Sequence, residues 1–190
     1  LEIPRNAAMS LSLLRGGLPG ARWIDVENYH ITLRFIGDID GRTADEVVNR
    51  LDRIDRPEFE VNLTGIGSFG SKKPHSIWAG VSQSPEMTAL QGEIERICQR
   101  LGLPPDPRKF TPHVTLARLR NSRLDDVVHY LSGRGDFRTT TFKVGRFVLM
   151  SSEESVGGGP YIVEEAFPLQ EAWPISNFSG AELHPSKGMV

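Results

Sequence analysis

Two short stretches of the chain carry the same order of residue types, and in each only two side chains can do polar chemistry. The first is His30-Ile31-Thr32-Leu33 and the second is His113-Val114-Thr115-Leu116. A shuffled chain with this composition and five histidines would contain two such stretches on the order of one time in several thousand. In a β-strand, alternate side chains point to the same face. Each stretch therefore predicts a strand that presents one imidazole and one hydroxyl together.

The residue types indicate the chemistry. Imidazole is the side chain whose ordinary pKa lets it give or take a proton near neutrality, so two of them can act as acid and base in one reaction. A threonine hydroxyl can donate a hydrogen bond to a phosphoryl oxygen as negative charge builds on it. One stretch alone is adequately explained as a polar sheet surface. The pair favours a site that transfers a phosphodiester without a metal.

The remaining polar residues do not indicate a metal or a redox site. The other histidines, none of which has a second ligand at metal-binding spacing, are His75, His129 and His184. We therefore predict no metal and no cofactor. Cys98 is the only cysteine, which excludes an intrachain disulfide, and its place in an amphipathic helix predicts that it is buried.

The motif pair resembles a known superfamily. With Phe110-Thr111-Pro112 before the second motif and Arg118 after it, the chain resembles the two-histidine phosphoesterases. Within that superfamily it is most similar to the bacterial and archaeal RNA 2',3'-cyclic phosphodiesterases, which are also called 2'-5' RNA ligases. The resemblance covers residues from about 1 to about 169.

The resemblance implies a role for each motif residue. His30 would be the proton donor that protonates the leaving 3'-oxygen of a 2',3'-cyclic phosphate. His113 would be the proton acceptor that activates water, and the product would be a 2'-phosphomonoester. Thr32 and Thr115 would bind the nonbridging phosphate oxygens, and Arg118 would be a further phosphate contact. The reverse reaction, with an RNA 5'-hydroxyl in place of water, would make a 2'-5' linkage.

Strict alternation conflicts with the resemblance at the arginines. Arg34 lies four residues after its histidine and would share its face, whereas Arg118 lies five residues after His113 and would not. We favour Arg118, since a strand end or a β-bulge can redirect a long side chain. Arg34 is then a second contact or part of the sheet surface.

The order of elements predicts an α+β protein. Apolar periodicity and capping residues predict four helices, which begin near Pro4, Thr43, Ser84 and Leu124. The pattern also predicts strands over residues 76–81 and 140–149. Two successions of helix, strand, helix and strand place the histidines 83 positions apart. They predict a bilobal, pseudo-duplicated fold in which two antiparallel sheets face a central cleft, with helices outside. We expect one catalytic domain over residues 1–169 and a flexible tail over 170–190.

The charge distribution limits how RNA could bind. The net charge of -2 gives no overall attraction to nucleic acid, so contacts with RNA must be local. Basic residues do cluster around the second motif, at Arg108, Lys109, Arg118, Arg120 and Arg123. Aromatic residues that could stack on a base are Phe69, Trp78 and Phe110.

The sequence favours an enzyme that hydrolyses an RNA 2',3'-cyclic phosphate end or a cyclic nucleotide. The alternative is a noncatalytic RNA- or nucleotide-binding module on the same fold, although binding alone does not require two proton-transfer groups. No run of 18 apolar residues and no secretory leader is present in the sequence. We expect a monomeric, cytoplasmic protein without a membrane partner.

Overall fold

A computed structural model describes residues 1–152 and 159–171, and this part of the chain combines helices with antiparallel sheets. The helices are α1 (Arg5–Ser12), α2 (Gly41–Leu51), α3 (Pro85–Arg100) and α4 (Leu124–Ser132), with a short 3-10 helix at Val26–Asn28. The strands are β1 (Ala21–Trp23), β2 (Phe59–Val61), β3 (Leu63–Phe69), β4 (Ser76–Val81), β5 (His113–Leu119), β6 (Phe142–Val144), β7 (Arg146–Ser152) and β8 (Tyr161–Pro168). The predicted α+β class is confirmed.

Strand β5 is an inner strand of the largest sheet. That sheet has the order β1-β5-β4-β3, and every pairing in it is antiparallel. Two further antiparallel pairs form between β2 and β6 and between β7 and β8. The second motif thus lies in a strand that is hydrogen-bonded on both sides.

Side-chain caps explain where two of the helices begin. The carboxylate of Asp40 accepts a hydrogen bond of 2.7 Å from the backbone N–H of Thr43, which caps α2. The hydroxyl of Ser84 accepts one of 3.1 Å from Met87, and Pro85 occupies the first turn of α3. Cys98 is fully buried on the inner face of α3, as predicted.

One predicted strand is divided. The sequence predicts a single long strand over residues 140–149, but the chain forms β6 and β7 on either side of Gly145. The division changes the partner, because β6 pairs with β2 while β7 pairs with β8. Gly145 lies between the two strand pairings, and its carbonyl accepts a hydrogen bond of 2.8 Å from the N–H of Leu169. This carbonyl therefore has a partner although it belongs to neither pairing.

The core lies behind the two histidine motifs. Ile31 of the first motif and Val114 of the second have no exposed surface, and both belong to one continuous apolar cluster.

Near the end of the described chain, Gln170 donates from its backbone N–H to the carbonyl of Arg56, and its own carbonyl accepts from the N–H of Glu58, each at 2.8 Å. The rest of the predicted tail, residues 172–190, lies outside the described residues. Among the helices of the described ranges, none has the length and apolar character needed to cross a membrane.

Candidate active site

The second motif has the alternation that its sequence predicts, up to a β-bulge. His113 and Thr115 are partly exposed, whereas Val114 and Leu116 are buried. The register against β4 then shifts, since Trp78 pairs with Thr115 while Ile77 pairs with Ala117. The extra residue in β5 leaves two consecutive side chains buried and resets the alternation.

The bulge decides where Arg118 points. Because Leu116 and Ala117 are both buried, the next residue, Arg118, is exposed on the face that carries His113 and Thr115. In the register of the sheet, Arg118 lies opposite Arg22 of β1. No pattern in the sequence singles out Arg22 as the cross-strand neighbour of Arg118.

The first motif is not part of a continuous strand. It is held by two isolated antiparallel bridges, between Glu2 and His30 and between Ile31 and Val114. Thr32 is exposed and Leu33 is partly buried against the core. The predicted alternation of side chains is therefore present, although the regular strand is not.

The bridge between Ile31 and Val114 brings the two motifs side by side. In an antiparallel arrangement the residues that flank a bridged pair also face each other across the strands. His30 therefore lies beside Thr115, and Thr32 lies beside His113. The four polar side chains share the face opposite the buried Ile31 and Val114.

Both imidazoles are oriented by the same backbone contact. His30 donates from Nδ1 to the carbonyl of Asn28 at 2.9 Å, and His113 donates from Nδ1 to the carbonyl of Thr111 at 2.7 Å. In each case the acceptor is two residues upstream. A carbonyl can only accept, so the proton of each neutral ring is on Nδ1 and the lone pair is on Nε2. Each ring can thus take or give a proton at Nε2.

The surroundings lower the pKa of both histidines below the usual 6.5. For His30 the largest cause is burial, which the hydrogen bond to Asn28 opposes, while the nearby charges of His113 and Arg118 lower the pKa further. For His113 burial is again the largest cause, opposed by the bond to Thr111, and the charges of Arg118 and Arg108 add to the lowering. One arginine, Arg118, thus acts on both rings.

The two rings have different aromatic neighbours. The ring of Tyr161 meets that of His30 edge-on, with 4.6 Å between the centroids, while the ring of Phe69 meets His113 edge-on at 4.9 Å. The ring centroid of Trp78 lies 6.4 Å from that of His113. Phe69 and Trp78 are among the aromatic residues that the sequence indicates. Tyr161 is not, because its contact with His30 depends on the β7–β8 pairing rather than on a local pattern.

Arg34 points away from the histidines. Its side chain is 6% exposed and forms an ion pair with Glu95 of α3, whose own side chain is 17% exposed. Arg34 also donates to the carbonyls of Phe35 and Pro104. Glu95 in turn accepts a hydrogen bond of 3.2 Å from the N–H of Asp106. The arginine after the first motif therefore joins α3 to the connector that leads into the second motif.

Within residues 1–152 and 159–171, no three side chains of histidine, cysteine, aspartate or glutamate are arranged so that they could hold a metal ion.

Comparison with known proteins assigns the family. Residues 1–78 and 80–161 match the protein family described as LigT like Phosphoesterase. The chain belongs to this family. The first matched segment contains His30 and the second contains His113, so each motif falls in its own segment.

Relatives of this LigT-like phosphoesterase carry a consistent name. A protein from Aeropyrum pernix named RNA 2',3'-cyclic phosphodiesterase is 35% identical over 153 residues, which cover 79% of this chain and 86% of that protein. One of the same name from Aquifex aeolicus is 32% identical over 156 residues, covering 78% and 81%. A crystal structure of E. coli LigT in complex with 3'-AMP has the same fold, with a TM-score of 0.72 at 22% identity, covering 89% of this chain and 94% of LigT.

Proposed function

We propose that this LigT-like phosphoesterase is a metal-independent RNA 2',3'-cyclic phosphodiesterase that hydrolyses 2',3'-cyclic phosphate ends to 2'-phosphomonoesters. The observation that carries the proposal is the pair of half-buried imidazoles, each with Nδ1 bonded to a carbonyl and Nε2 available, beside two threonine hydroxyls. The name shared by the relatives from A. pernix and A. aeolicus supports the same activity.

In this proposal His113 is the proton acceptor and His30 is the proton donor. Attack on phosphorus must be in line with the departing oxygen, so the base and the acid belong on opposite sides of the phosphate. His113 takes a proton from water at Nε2 as the water oxygen bonds to phosphorus. His30 gives a proton from Nε2 to the 3'-oxygen as the bond between that oxygen and phosphorus breaks, which leaves the phosphate on the 2'-oxygen.

Thr32, Thr115 and Arg118 stabilise the phosphoryl group. Each threonine is next to the histidine of the other motif, so the two hydroxyls can donate to the two nonbridging oxygens between the rings. The exposed guanidinium of Arg118 opposes the negative charge that builds in the transition state. Its positive charge also lowers the pKa of both histidines.

The same geometry can join two RNA ends. With an RNA 5'-hydroxyl in place of water, attack by that hydroxyl on the cyclic phosphate produces a 2'-5' linkage, and His113 and His30 keep their roles. The complex of LigT with 3'-AMP supports a site that accepts a nucleotide as well as an RNA end. We propose both as substrates.

We propose a single catalytic domain over residues 1–169 that works as a monomer in the cytoplasm, where it acts on RNA. Sedimentation of the purified full chain tests the oligomeric state, and fractionation of cells that express it tests the location. A stable dimer or a membrane-associated protein would contradict these statements.

Product analysis in excess chelator tests the proposed activity. An oligonucleotide with a 2',3'-cyclic phosphate end and the matching cyclic mononucleotide are incubated with the enzyme, and the product ends are identified. We expect 2'-phosphomonoesters from both and undiminished rates in chelator. A 3'-phosphate product, or loss of turnover on chelation, would contradict the mechanism. Tight binding of both substrates without turnover would favour the noncatalytic binding module instead.

A further inference from the structure

A cavity of about 400 Å³ opens beside His30. It lies between the first half of α1, the 3-10 helix and the β7–β8 pair, which contribute side chains from three separate segments of the chain. Its lining includes Met9 of α1, Met150 of β7, and Tyr161 and Val163 of β8. The volume is in the range of sites for small organic ligands.

The lining is mixed, and some of its apolar side chains are exposed. Met9 is 54% exposed and Val163 is 44% exposed, and they face the cavity from different elements. Exposed apolar side chains that line a concave surface commonly mark a ligand-binding site. The polar part of the lining includes Arg5, Asn28, Glu27 and Glu2, and the carboxylate of Glu2 is paired with Arg146. The exposed apolar side chains suit a flat heterocycle, and Arg5 is the cation in the lining that could meet a phosphate.

The contact between Tyr161 and Asn28 fixes one wall of the cavity to the catalytic ring. The N–H of Tyr161 donates to the side-chain oxygen of Asn28 at 3.2 Å, while the backbone carbonyl of Asn28 accepts from His30. Gly159 packs so closely on Asn28 that an added Cβ would lie 2.5 Å from its side chain, and its φ of +94° also favours glycine. The position of β8 is thus coupled to the orientation of His30.

The stereochemistry of the reaction determines which side of the phosphate the nucleoside occupies. In a 2',3'-cyclic phosphate the leaving 3'-oxygen and the 2'-oxygen belong to the same ribose. In-line attack puts water on the side of His113 and the leaving oxygen on the side of His30. The ribose and its base therefore extend from the phosphate toward His30. The flank of His113 is instead packed by the rings of Phe69 and Trp78.

We propose that the cavity beside His30 binds the nucleoside that carries the cyclic phosphate. The base lies among Met9, Met150 and Val163, the ribose is next to Tyr161, and Arg5 faces the phosphate that joins the preceding nucleotide. This assignment rests on the proposed function, because the direction of the nucleoside follows from the roles of the two histidines. It makes the cavity the source of base recognition in an otherwise phosphate-directed site.

Kinetics with and without a base test the assignment. Adenosine 2',3'-cyclic phosphate and methyl riboside 2,3-cyclic phosphate, which lacks a base, are compared in excess chelator. We expect the KM of the methyl riboside to exceed that of the adenosine compound by at least about tenfold, since stacking and burial of one base commonly contribute that much or more. The ratio of the two KM values is the readout, because effects on the phosphate cancel in it.

Two matched pairs of variants test whether the difference in KM between the two compounds depends on the cavity. Val163 and Ile162 are neighbours on β8 with equal exposure of 44%, but only Val163 lines the cavity. Val163→Glu should bring the KM ratio close to one, and Ile162→Glu should leave it at the wild-type value. Met9→Glu on α1 should act like Val163→Glu. Leu13→Glu, directly after α1 at a position that is 83% exposed and outside the lining, should not. Tyr161 is avoided because it also contacts His30.

The possible results separate the cavity from the catalytic proposal. A wild-type KM ratio near one, with both compounds hydrolysed, would overturn the cavity assignment and leave the proposed function intact. The same KM ratio for both variants of each matched pair would also overturn the cavity assignment. If the wild-type enzyme hydrolyses neither compound, both the assignment and the proposed function are wrong.

Discussion

The two histidine motifs have nearly the same sequence but different backbones. The second lies in β5 and pairs with β4 along the motif, whereas the first is held by two isolated bridges. Both nevertheless bond Nδ1 of the histidine to the carbonyl two residues upstream. The shared sequence thus preserves the orientation of the imidazole rather than a type of strand.

The regions after the motifs differ more than the motifs themselves. A bulge in β5 brings Arg118 onto the face of the histidines, while Arg34 is buried in an ion pair with Glu95. The flanks differ as well, because His113 is packed against Phe69 and His30 adjoins a cavity. A duplicated pair of proton-transfer groups has therefore acquired unequal surroundings, which suits one acid and one base.

The largest expected effect comes from removing either imidazole. His30→Ala and His113→Ala should each lower kcat/KM for a cyclic phosphate by at least about 100-fold, the lower limit for a general acid or base. Steady-state kinetics on the purified variants measures the loss, with circular dichroism to confirm folding. A folded variant of either kind with wild-type activity would show that the replaced histidine is not a proton-transfer group in the reaction.

A substrate with a better leaving group should make the two losses unequal. A nucleoside 2'-(4-nitrophenyl phosphate) mimics the 2'-5' linkage, and its cleavage is the reverse of ligation. The 3'-hydroxyl gives its proton to His30 and bonds to phosphorus, while the nitrophenolate departs on the side of His113 without needing a proton. His113→Ala should therefore lose less activity on this ester than on the cyclic phosphate, whereas His30→Ala should lose the same large factor on both. If His30→Ala is the variant that is rescued, the acid and base assignments are reversed.

Replacing Arg118 should have the next largest effect. Arg118→Met removes a charge-assisted contact with the phosphate that is worth about 2 kcal/mol, so kcat/KM should fall about 30-fold. It should also raise the pKa of both histidines, since the charge of Arg118 lowers them, and the whole pH profile should move to higher pH. Arg118→Lys keeps the charge and serves as the control for the shift. A loss of activity with no movement of the profile would contradict this account of Arg118.

The two threonines should contribute smaller and similar amounts. Thr32→Val and Thr115→Val keep the shape of the side chain and remove a hydroxyl donor to a charged oxygen, so each should lower kcat/KM by about tenfold. The ratio of the two losses in kcat/KM is the informative quantity, because the pseudo-symmetric register of the two motifs predicts equal losses. A loss confined to Thr115 would mean that the less regular first motif does not bind the phosphate.

Arg34 should affect stability rather than the reaction. Arg34→Met leaves the largely buried carboxylate of Glu95 without its positively charged partner, which should cost about 3 kcal/mol of unfolding free energy. Denaturant unfolding measures this, and at temperatures where the variant is folded its pH profile should match that of the wild type. A pH profile that moves as it does in Arg118→Met would place Arg34 in the site after all.

The elements with strong local signals could be predicted from the sequence. Helix α3 begins at Ser84-Pro85 as expected, because a hydroxyl cap and a proline in the first turn act locally. Strand β4 likewise has the predicted bounds of Ser76 and Val81. The single strand predicted over residues 140–149 is instead β6 and β7, because the change of partner at Gly145 is decided by distant residues.

The candidate site shows the same division between local and distant causes. The faces of His30, Thr32, His113 and Thr115 follow from alternation alone. The direction of Arg118 depends on a bulge in the pairing with β4, which no pattern within β5 reveals. The contact of Tyr161 with His30 joins residues 131 positions apart and could not be predicted from periodicity. The catalytic roles remain predictions for the measurements proposed above.

The pH dependence of kcat/KM in excess chelator tests most directly the claim that two imidazoles perform the reaction. His113 must be neutral and His30 protonated in the free enzyme, so the two limbs of a bell-shaped profile report their pKa values. Both values are lowered below 6.5, which predicts an optimum on the acid side of that value. His113→Ala should lose the acid limb and His30→Ala the alkaline limb. A flat profile, an optimum on the alkaline side of neutrality, or loss of activity on chelation would contradict the account.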